Sequence, residues 1–381
     1  MFQRFVLPLN IAAIITLVLP AAAQITDAPP PQAKSRYKVE TVAKGLAHPW
    51  GLQFLRDGRM LVTERPGRLR IVGTSGALSP PIAGVPEVVA KGQGGLLDVA
   101  LDPKFDTNGL VYLTFSEPRS GGLNGTSVAR GRLVEEKGQA RLEDVAVIFR
   151  QEPATSGGMH FGSRLAFADD GTLFVTLGER YQRDFAQDIS RHWGKVVRIN
   201  TDGNSPADNP DLGPKAARGI WSFGHRNPQS AAIHPTSRKL WIVEHGPKGG
   251  DEVNIPLKGC NYGWPVIGYG IDYSGAPIHA STHRQGMEQP IYYWVPSIAP
   301  SGMTFYTGDR FPDWRGHLFV GALAGQHLAR LVLDGEKVVG EERMLAELKH
   351  RIRDVRQGPD GLLYVLTDSD HGEIIRIAPA N

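Results

Sequence analysis

The chain has 381 residues, of which 41% are hydrophobic and 21% are charged, and its formal net charge at pH 7 is +3. Lysine and arginine are nearly matched in number by aspartate and glutamate and do not form blocks, which argues against a nucleic-acid-binding surface. The single cysteine, Cys260, excludes an internal disulfide framework and a cysteine-rich metal site.

The first 23 residues have the pattern of a secretory signal peptide. A positively charged start precedes a short apolar run at residues 11–19, and three alanines at 21–23 provide a small-residue cleavage site. The apolar run is too short to span a bilayer, so we expect export to the periplasm and no stable membrane span. Residues 24–36, rich in proline and alanine, predict a flexible leader to the folded domain at residues 37–381.

One short phrase recurs six times after the leader. It is a turn, followed by Leu or Met and then by aromatic or β-branched residues. The copies span residues 57–63, 108–114, 170–176, 237–243, 315–320 and 360–366. Each copy follows another apolar segment across a turn, which predicts a β-hairpin, because Asp-Gly turns supply the positive φ angles that tight hairpins need. Several copies continue into a third strand, so the repeating unit is predicted to be an antiparallel meander.

The spacing of these copies predicts a six-bladed β-propeller. They begin 45 to 78 residues apart, and repeats of about 40 to 50 residues with several strands each are typical of propeller blades, with longer intervals absorbing insertions. A two-sheet sandwich would not need the same hairpin six times, and no long amphipathic helix is evident. We therefore expect an all-β fold of six four-stranded antiparallel blades around a central channel.

This fold predicts where functional side chains gather. The first strand of each propeller blade lines the channel, so residues just before these strands meet at one end of it. Those segments contain Gln93, His160, Arg226, Asn227, Arg351 and Arg353. Three arginines without a carboxylate nearby in sequence favour an anionic ligand, and a neutral imidazole at the channel mouth suits a general base. Taken singly, each residue is equally compatible with a structural or solvated role.

The loop from Glu244 to Pro265 is a second candidate site. It follows a strand-like segment and combines Gly-Pro, Gly-Gly and Asn-Tyr-Gly-Trp-Pro turns with the adjacent carboxylates of Asp251 and Glu252. Backbone carbonyls and carboxylates are the hard oxygen ligands that Ca²⁺ prefers, so one hypothesis is a calcium-binding loop. A solvated surface loop has the same composition and is the alternative.

Seven stretches distributed along the chain match a known family when they are taken together. They read HPWGLQFLRDGRMLVTERPGRLRI, GQGGLLDVALDPKF, HFGSRLAF, GHRNPQSAAIHP, EHGPKGGDEVNI, NYGWP and RIRDVRQGPDGLLYVLTD. From Tyr37 to Pro379 the chain resembles the soluble, periplasmic aldose sugar dehydrogenases that depend on pyrroloquinoline quinone (PQQ), the glucose/sorbosone dehydrogenase family. The resemblance implies a six-bladed β-propeller, in agreement with the repeats. It also implies oxidation of aldoses at C1 to lactones with PQQ and Ca²⁺.

The resemblance also implies roles for individual residues. His160 would be the general base that takes the proton of the anomeric hydroxyl while a hydride leaves C1, and Arg226 would stabilise the negative charge that develops on the quinone oxygen. The positions that match PQQ contacts are Gln93, Arg226, Asn227, Tyr273, Arg351 and Arg353. Guanidinium groups suit them because PQQ carries three carboxylates. The carbonyls of Gly246 and Pro247 match a calcium site at the cofactor, and Glu252 and the backbone of Tyr262 match a further calcium position.

Two positions depart from the family pattern. Ala324 stands where the better-known glucose enzymes carry a lysine that contacts PQQ, so one cationic contact is lost. Met159 precedes the base where those enzymes have an acidic residue, so another group must fix the imidazole tautomer or the base is weaker. Loops shorter than those of the glucose enzymes imply a broader range of aldoses.

Two other functions are compatible with this fold. A calcium-dependent lactonase would need several acidic ligands in the channel, where the predicted residues are cationic. A non-catalytic propeller that binds a sugar or a protein is suggested by Ala324 and Met159. For the dehydrogenase, the expected partners are an aldose and a quinone or cytochrome electron acceptor, without nucleic acid, and the expected state is a monomer or homodimer.

Overall fold

Six antiparallel β-sheets form the ring of a propeller in the computed structural model, which describes residues 28–32 and 34–380, so the predicted six-bladed β-propeller is confirmed. The strands are β1 (Tyr37–Leu46), β2 (Pro49–Phe54), β3 (Met60–Glu64), β4 (Arg68–Val72), β5 (Leu96–Leu101), β6 (Leu110–Arg119), β7 (Leu123–Glu136), β8 (Gln139–Arg150), β9 (Gly162–Phe167), β10 (Leu173–Leu177), β11 (Lys195–Ile199), β12 (Ile220–Phe223), β13 (Pro228–Ile233), β14 (Leu240–Glu244), β15 (Asp251–Asn254), β16 (Tyr292–Trp294), β17 (Pro300–Phe305), β18 (Leu318–Ala322), β19 (His327–Asp334), β20 (Lys337–Met344), β21 (Ile352–Gln357), β22 (Leu363–Thr367) and β23 (Gly372–Pro379).

Helical structure is confined to short turns within the described residues. There is one α-helix, α1 (Phe105–Asn108), and the 3₁₀ segments are Ser120–Gly122, Arg183–Gln187, Pro312–Trp314 and Ala346–Leu348. In this part of the chain no helix is both long and apolar enough to cross a bilayer. The predicted signal peptide, residues 1–23, lies outside the described residues.

Five of the six blades have four strands in a continuous ladder. In chain order they contain β5–β8, β9–β12, β13–β16, β17–β20 and β21–β23, the last completed by β1 on its outer edge. The blade formed by β2–β4 has three ladder strands, and residues 78–82 extend it irregularly, because the amides of Ser79 and Ile82 each donate to a carbonyl of β4 at 2.8 Å. Each predicted hairpin therefore forms the inner half of one blade.

The ring is closed by pairing the two ends of the folded chain. Strand β1 pairs antiparallel with β23, from Tyr37 opposite Pro379 to Leu46 opposite Gly372. The last blade is thus built from both ends, which ties the first blade to the sixth without an exposed inner edge.

Burial explains why the hairpin sequences are so apolar. Every residue of β3, β10, β14 and β22 is buried, because the second strand of a blade packs against neighbouring blades on both faces. The outer strand β20, by contrast, alternates exposed and buried residues along its first half. The core therefore consists of apolar layers between adjacent blades, which keeps the first strands fixed around the axis.

The described part of the predicted leader lies against the fifth blade. The carbonyl of Pro29 accepts a hydrogen bond from the Glu341 amide at 3.1 Å. Ser35 donates through Oγ to Glu342 at 2.6 Å and accepts from Trp314 Nε1 at 3.0 Å. These contacts connect the leader to the outer strands of that blade.

A buried charge network crosses the channel. Arg164 of β9 lies 2.9 Å from Asp98 of β5 and 3.3 Å from Asp354 of β21, and Arg356 pairs with both aspartates. Burial raises the pKa of Asp98, although Arg164 and Arg356 oppose this effect. The inner strands of three blades are thus linked by charges that compensate one another.

Arg164→Met should strongly destabilise the fold, because the two buried carboxylates would keep only Arg356 of the two cations they share. We expect a loss of about 3 to 5 kcal/mol in the free energy of unfolding, measured by urea titration. Arg141→Met is the matched control, since Arg141 forms a solvent-accessible ion pair with Glu143 on an outer strand and should change the free energy of unfolding far less. Equal stabilities of the two variants would contradict this account.

Candidate active site

Three cavities are found at the end of the channel where the first strands begin. The central cavity, of about 310 Å³, is lined by Gln93, Arg351 and Arg353 among others. The lateral cavity, of about 370 Å³, is lined by Glu179, Tyr181, Arg183, Asp184, Arg226, Pro247, Trp264, Asp272, Tyr273 and Ile278. The narrow cavity, of about 20 Å³, is lined by Gly246, Pro247, Glu252 and Tyr262 among others. The predicted residues therefore gather at one end of the propeller.

His160 lies between the central and lateral cavities. Its neighbours Phe161 and Gly162 line the first, and its ring contacts Tyr181 of the second edge-on, with 5.1 Å between ring centroids. The His160 amide donates to Gln93 Oε1 at 2.8 Å, and the residue has a positive φ of 51°. Gln93 thus holds the backbone of the histidine as well as lining the central cavity.

Glu179 orients the imidazole, and sequence reasoning missed it. Its Oε2 lies 2.6 Å from His160 Nδ1 and also accepts the Tyr181 amide at 2.7 Å. Met159, which cannot do this, points outward and is 40% exposed. A carboxylate at Nδ1 favours the tautomer with its proton on Nδ1, so Nε2 keeps the lone pair.

The surroundings of His160 favour the neutral imidazole. Burial lowers the pKa of His160 below its ordinary value, and the positive charges of Arg226 and Arg180 act in the same direction. The hydrogen bond and charge of Glu179 oppose them by stabilising the imidazolium. An unprotonated, oriented imidazole with a free Nε2 has the properties that a general base requires near neutral pH.

Arg351 and Arg353 lie together in the central cavity and share one carboxylate. Asp368 lies 3.3 Å from Arg351 and 3.0 Å from Arg353. Burial opposes ionisation of Asp368, but the charge of Arg353 and its neighbours holds the pKa of this carboxyl well below its usual range. Arg353 is buried and its Nε has no hydrogen-bond partner among the described residues. The cavity therefore keeps an excess of positive charge.

Arg226 and Asn227 approach the same region from the loop before β13. Arg226 donates through Nη1 to the Gly246 carbonyl at 2.7 Å, and its amide donates to Glu244 at 2.7 Å. The Asn227 side-chain oxygen accepts from the Gly162 amide at 3.1 Å, whereas its buried Nδ2 has no partner in the described structure. Tyr273 differs from the others because it is 62% exposed at the rim of the lateral cavity.

The two carboxylates of the predicted calcium loop have different environments. Asp251 accepts hydrogen bonds from Ser297 and from the amides of Gly246, Ile298 and Ala299, so it stabilises the conformation of the loop. Glu252 accepts from Asn254 at 3.0 Å and faces the narrow cavity. Burial and then the nearby Glu244 raise the pKa of Glu252 to about 8.

A cation in the narrow cavity would favour the ionised form of Glu252 and offset the repulsion from Glu244. Within the described residues no group of three or more His, Cys, Asp or Glu side chains is arranged to hold a metal ion. Calcium would therefore depend on Glu252 together with the backbone carbonyls, such as those of Pro247 and Tyr262, that border the cavity. The donor chemistry fits the ion, and the carbonyl of Gly246 is already shared with Arg226.

The site residues that sequence reasoning missed share one position in the fold. Glu179, Glu244 and Asp368 stand at or just after the second strand of a blade. Because adjacent antiparallel strands run in opposite directions, the end of the second strand lies beside the start of the first. The sequence signal was available, since an acidic residue follows five of the six repeated hairpin phrases within three residues.

Comparison with known proteins gives one consistent result. The family model described as glucose/sorbosone dehydrogenase matches residues 46–376. The chain is 47% identical to aldose sugar dehydrogenase YliI of Escherichia coli, over 92% of this chain and 95% of that protein. A solved glucose dehydrogenase has a TM-score of 0.88 at 51% identity, covering 90% and 100% of the two chains. The PQQ-bound aldose sugar dehydrogenase of Streptomyces coelicolor has a TM-score of 0.74 at 28% identity, covering 90% and 99%.

Glu179→Gln should lower the pKa of His160 further, by about one unit, because the carboxylate favours the protonated ring. Titration of the His160 ring signals by NMR measures this directly. Glu152→Gln is the control, since Glu152 is an exposed residue of the preceding loop that pairs with Arg119. An unchanged or raised pKa in Glu179→Gln would contradict the assigned contact.

Proposed function

The chain belongs to the glucose/sorbosone dehydrogenase family, and from this we propose that it oxidises aldose sugars at C1 to the lactone with PQQ and Ca²⁺. The observation that supports the proposal most directly is the buried pair of His160 and Glu179 at 2.6 Å, placed between a cationic cavity and an open one. When bound, PQQ supplies the group that accepts a hydride from C1 of the sugar.

The central cavity suits a planar polyanion such as PQQ. Arg351 and Arg353 provide guanidinium groups that bind carboxylates well. Arg353 Nε is a buried donor without a partner among the described residues, and a ligand that accepted from it would offset the cost of leaving it unsatisfied. Ala324 is exposed near this region and adds no charge, so these two arginines, with Arg226, would supply most of the affinity.

The proton that must leave the sugar has a defined acceptor. His160 Nε2 would take it from the anomeric hydroxyl, because Nδ1 is already held by Glu179. Glu179 would then stabilise the imidazolium that forms, because its negative charge interacts more favourably with the protonated ring than with the neutral one. Arg226 would bring a positive charge to the side of the site where negative charge develops.

The lateral cavity would receive the sugar. Its walls combine the aromatic rings of Tyr181, Trp264 and Tyr273 with the carboxylates of Asp184 and Asp272. Aromatic faces pack against sugar rings, and carboxylates accept hydrogen bonds from sugar hydroxyl groups. Its volume of about 370 Å³ is compatible with the expected broad substrate range.

Calcium would sit at the loop formed by residues 244–265. Pro247 borders the lateral and the narrow cavity, and His245 borders the narrow and the central one, so an ion held between them by backbone carbonyls would lie close to both the sugar and the cofactor. Glu252 and the Tyr262 carbonyl would serve a second ion, which would offset the burial and the nearby Glu244 that disfavour the ionised form of Glu252. Export to the periplasm and electron transfer to a quinone or cytochrome complete the proposal.

The alternatives fit the described cavities less well. A lactonase needs an acidic channel, whereas the central cavity is lined by Arg65, Arg351 and Arg353 against the single carboxylate of Asp368. A non-catalytic propeller would have no use for a desolvated histidine with an oriented ring. The carboxylate that orients it, which Met159 does not supply, is present as Glu179.

His160→Ala should reduce the single-turnover rate of PQQ reduction by an aldose by about 10² to 10⁴, because the general base is lost. PQQ affinity should stay near wild type, which titration of the apoprotein checks. His160→Gln should not rescue the rate, since an amide does not take a proton at neutral pH. A rate within a few fold of wild type would place the base elsewhere.

Arg353→Gln should weaken PQQ binding more than chemistry, since it removes a charged donor from the central cavity. Loss of one charge-assisted hydrogen bond costs about 1.5 to 3 kcal/mol, equivalent to one to two decades in Kd. Arg150→Gln is the control, because Arg150 pairs with Glu117 on an outer strand. Identical PQQ titrations for the two variants would show that Arg353 is structural.

A further inference from the structure

Arg180 is a buried cation that the proposed reaction does not yet use. Arg180 is 4% exposed, yet neither its Nε nor its Nη1 has a hydrogen-bond partner among the described residues. No carboxylate in the described chain lies within ion-pair distance of its guanidinium. Burial lowers the pKa of Arg180 to about 10. Keeping an incompletely satisfied guanidinium inside a protein is costly, so its position calls for a functional explanation.

The contacts that Arg180 does make hold the segment that carries His160 against the start of β7. Its Nη2 donates to Asn124 Oδ1 at 2.7 Å and to the Gly157 carbonyl at 3.1 Å. Its guanidinium carbon lies 3.6 Å from the centre of the Phe161 ring, the residue that follows the histidine. Arg180 therefore joins the start of β7 to both ends of the short segment 157–161.

That segment and its partner loop hold unfavourable backbone conformations. His160, Arg180 and Tyr181 all have positive φ, at 51°, 61° and 62°. Such a conformation is unfavourable for any residue other than glycine. Left-handed residues persist where surrounding contacts hold them, and the bonds of Arg180 to Asn124 and Gly157 are contacts of this kind.

The charges that face His160 come from three loops. Glu179 and Arg180 follow β10, Arg226 precedes β13, and His245 follows β14. Glu179 is the one group among them that favours the imidazolium, and Arg226 and Arg180 both disfavour it. Burial lowers the pKa of His245 to about 3, so His245 is neutral and contributes little charge.

We propose that Arg180 is a positioning residue of the His160 base, which clamps the segment 157–161 and keeps a positive charge beside the imidazole so that Nε2 stays free to accept a proton. The missing carboxylate partner is then part of its role, because an ion pair would cancel the charge. The unused Nε and Nη1 donors are consistent with this, since they leave the guanidinium electrostatically unbalanced.

Arg191 provides a matched control in the same loop. Its guanidinium lies 4.3 Å from the Phe185 ring, so it resembles Arg180 as a stacked arginine, but it pairs with Asp188 at 2.9 Å. A role that was only structural would give similar results for Arg180→Met and Arg191→Met. A role through charge near His160 would separate them.

The inference rests on the proposed role of His160 as the base, and NMR titration of His160 in the apoprotein tests it without requiring activity. Arg180→Met should raise the pKa of His160 by about one unit, because a repelling charge is removed. Arg180→Lys should keep it near wild type, and Arg191→Met should not move it. In the PQQ-loaded enzyme, the acid limb of kcat/KM should move to higher pH in Arg180→Met alone.

Asn124→Asp keeps the test decisive if Arg180→Met does not fold. The new carboxylate would pair with the same guanidinium and should also raise the pKa of His160. An unchanged pKa in Arg180→Met, or in Asn124→Asp when it replaces that variant, would overturn the proposal. An equal shift in Arg180→Met and Arg180→Lys would overturn it too. If these pKa shifts are observed but the PQQ-loaded wild-type enzyme does not oxidise any aldose, the proposed function is contradicted and the role of Arg180 beside His160 is not.

Discussion

The hydrogen bond between His160 Nδ1 and Glu179 is the contact on which the rest of the site depends. It joins two loops from the same blade at 2.6 Å, and both residues are almost fully buried. Without the carboxylate the ring would have neither a fixed tautomer nor support for the proton it receives. Closure of the ring through β1 and β23 matters for the same reason, because it keeps the loops of six blades at fixed positions.

Charge is distributed unevenly along the channel, and this separates structure from function. The network of Arg164, Arg356, Asp98 and Asp354 is balanced and links the inner strands. Nearer the mouth the balance is lost: Arg351 and Arg353 share Asp368, and in the loop of Glu252 burial and the nearby Glu244 disfavour the ionised carboxylate. Unbalanced buried charges are costly and are typical of sites that bind charged ligands. An anionic cofactor and a cation would each compensate one of them.

The fold was predictable because blade strands are local and repeat. The repeated phrases at 57–63, 170–176 and 360–366 each end one residue before the end of the strand observed there, since Asp-Gly marks the hairpin turn that precedes the strand. The site was predictable in part. Residues before the first strands lie at one end, as predicted. Glu179 was not predicted because it lies in a loop that follows a second strand, and such loops reach the same end of the propeller. Asp251 illustrates another limit: whether a carboxylate is saturated by amides depends on the three-dimensional path of its loop.

The most direct test of the proposed function is the visible absorption spectrum of the purified protein, recorded after reconstitution with PQQ and Ca²⁺ and again after addition of an aldose under anaerobic conditions. The account predicts that the spectrum of the oxidised quinone is lost on addition of the sugar, in an amount equal to the bound cofactor, and that one equivalent of lactone appears. A spectrum that does not change with any aldose, in protein shown to bind PQQ, would contradict it.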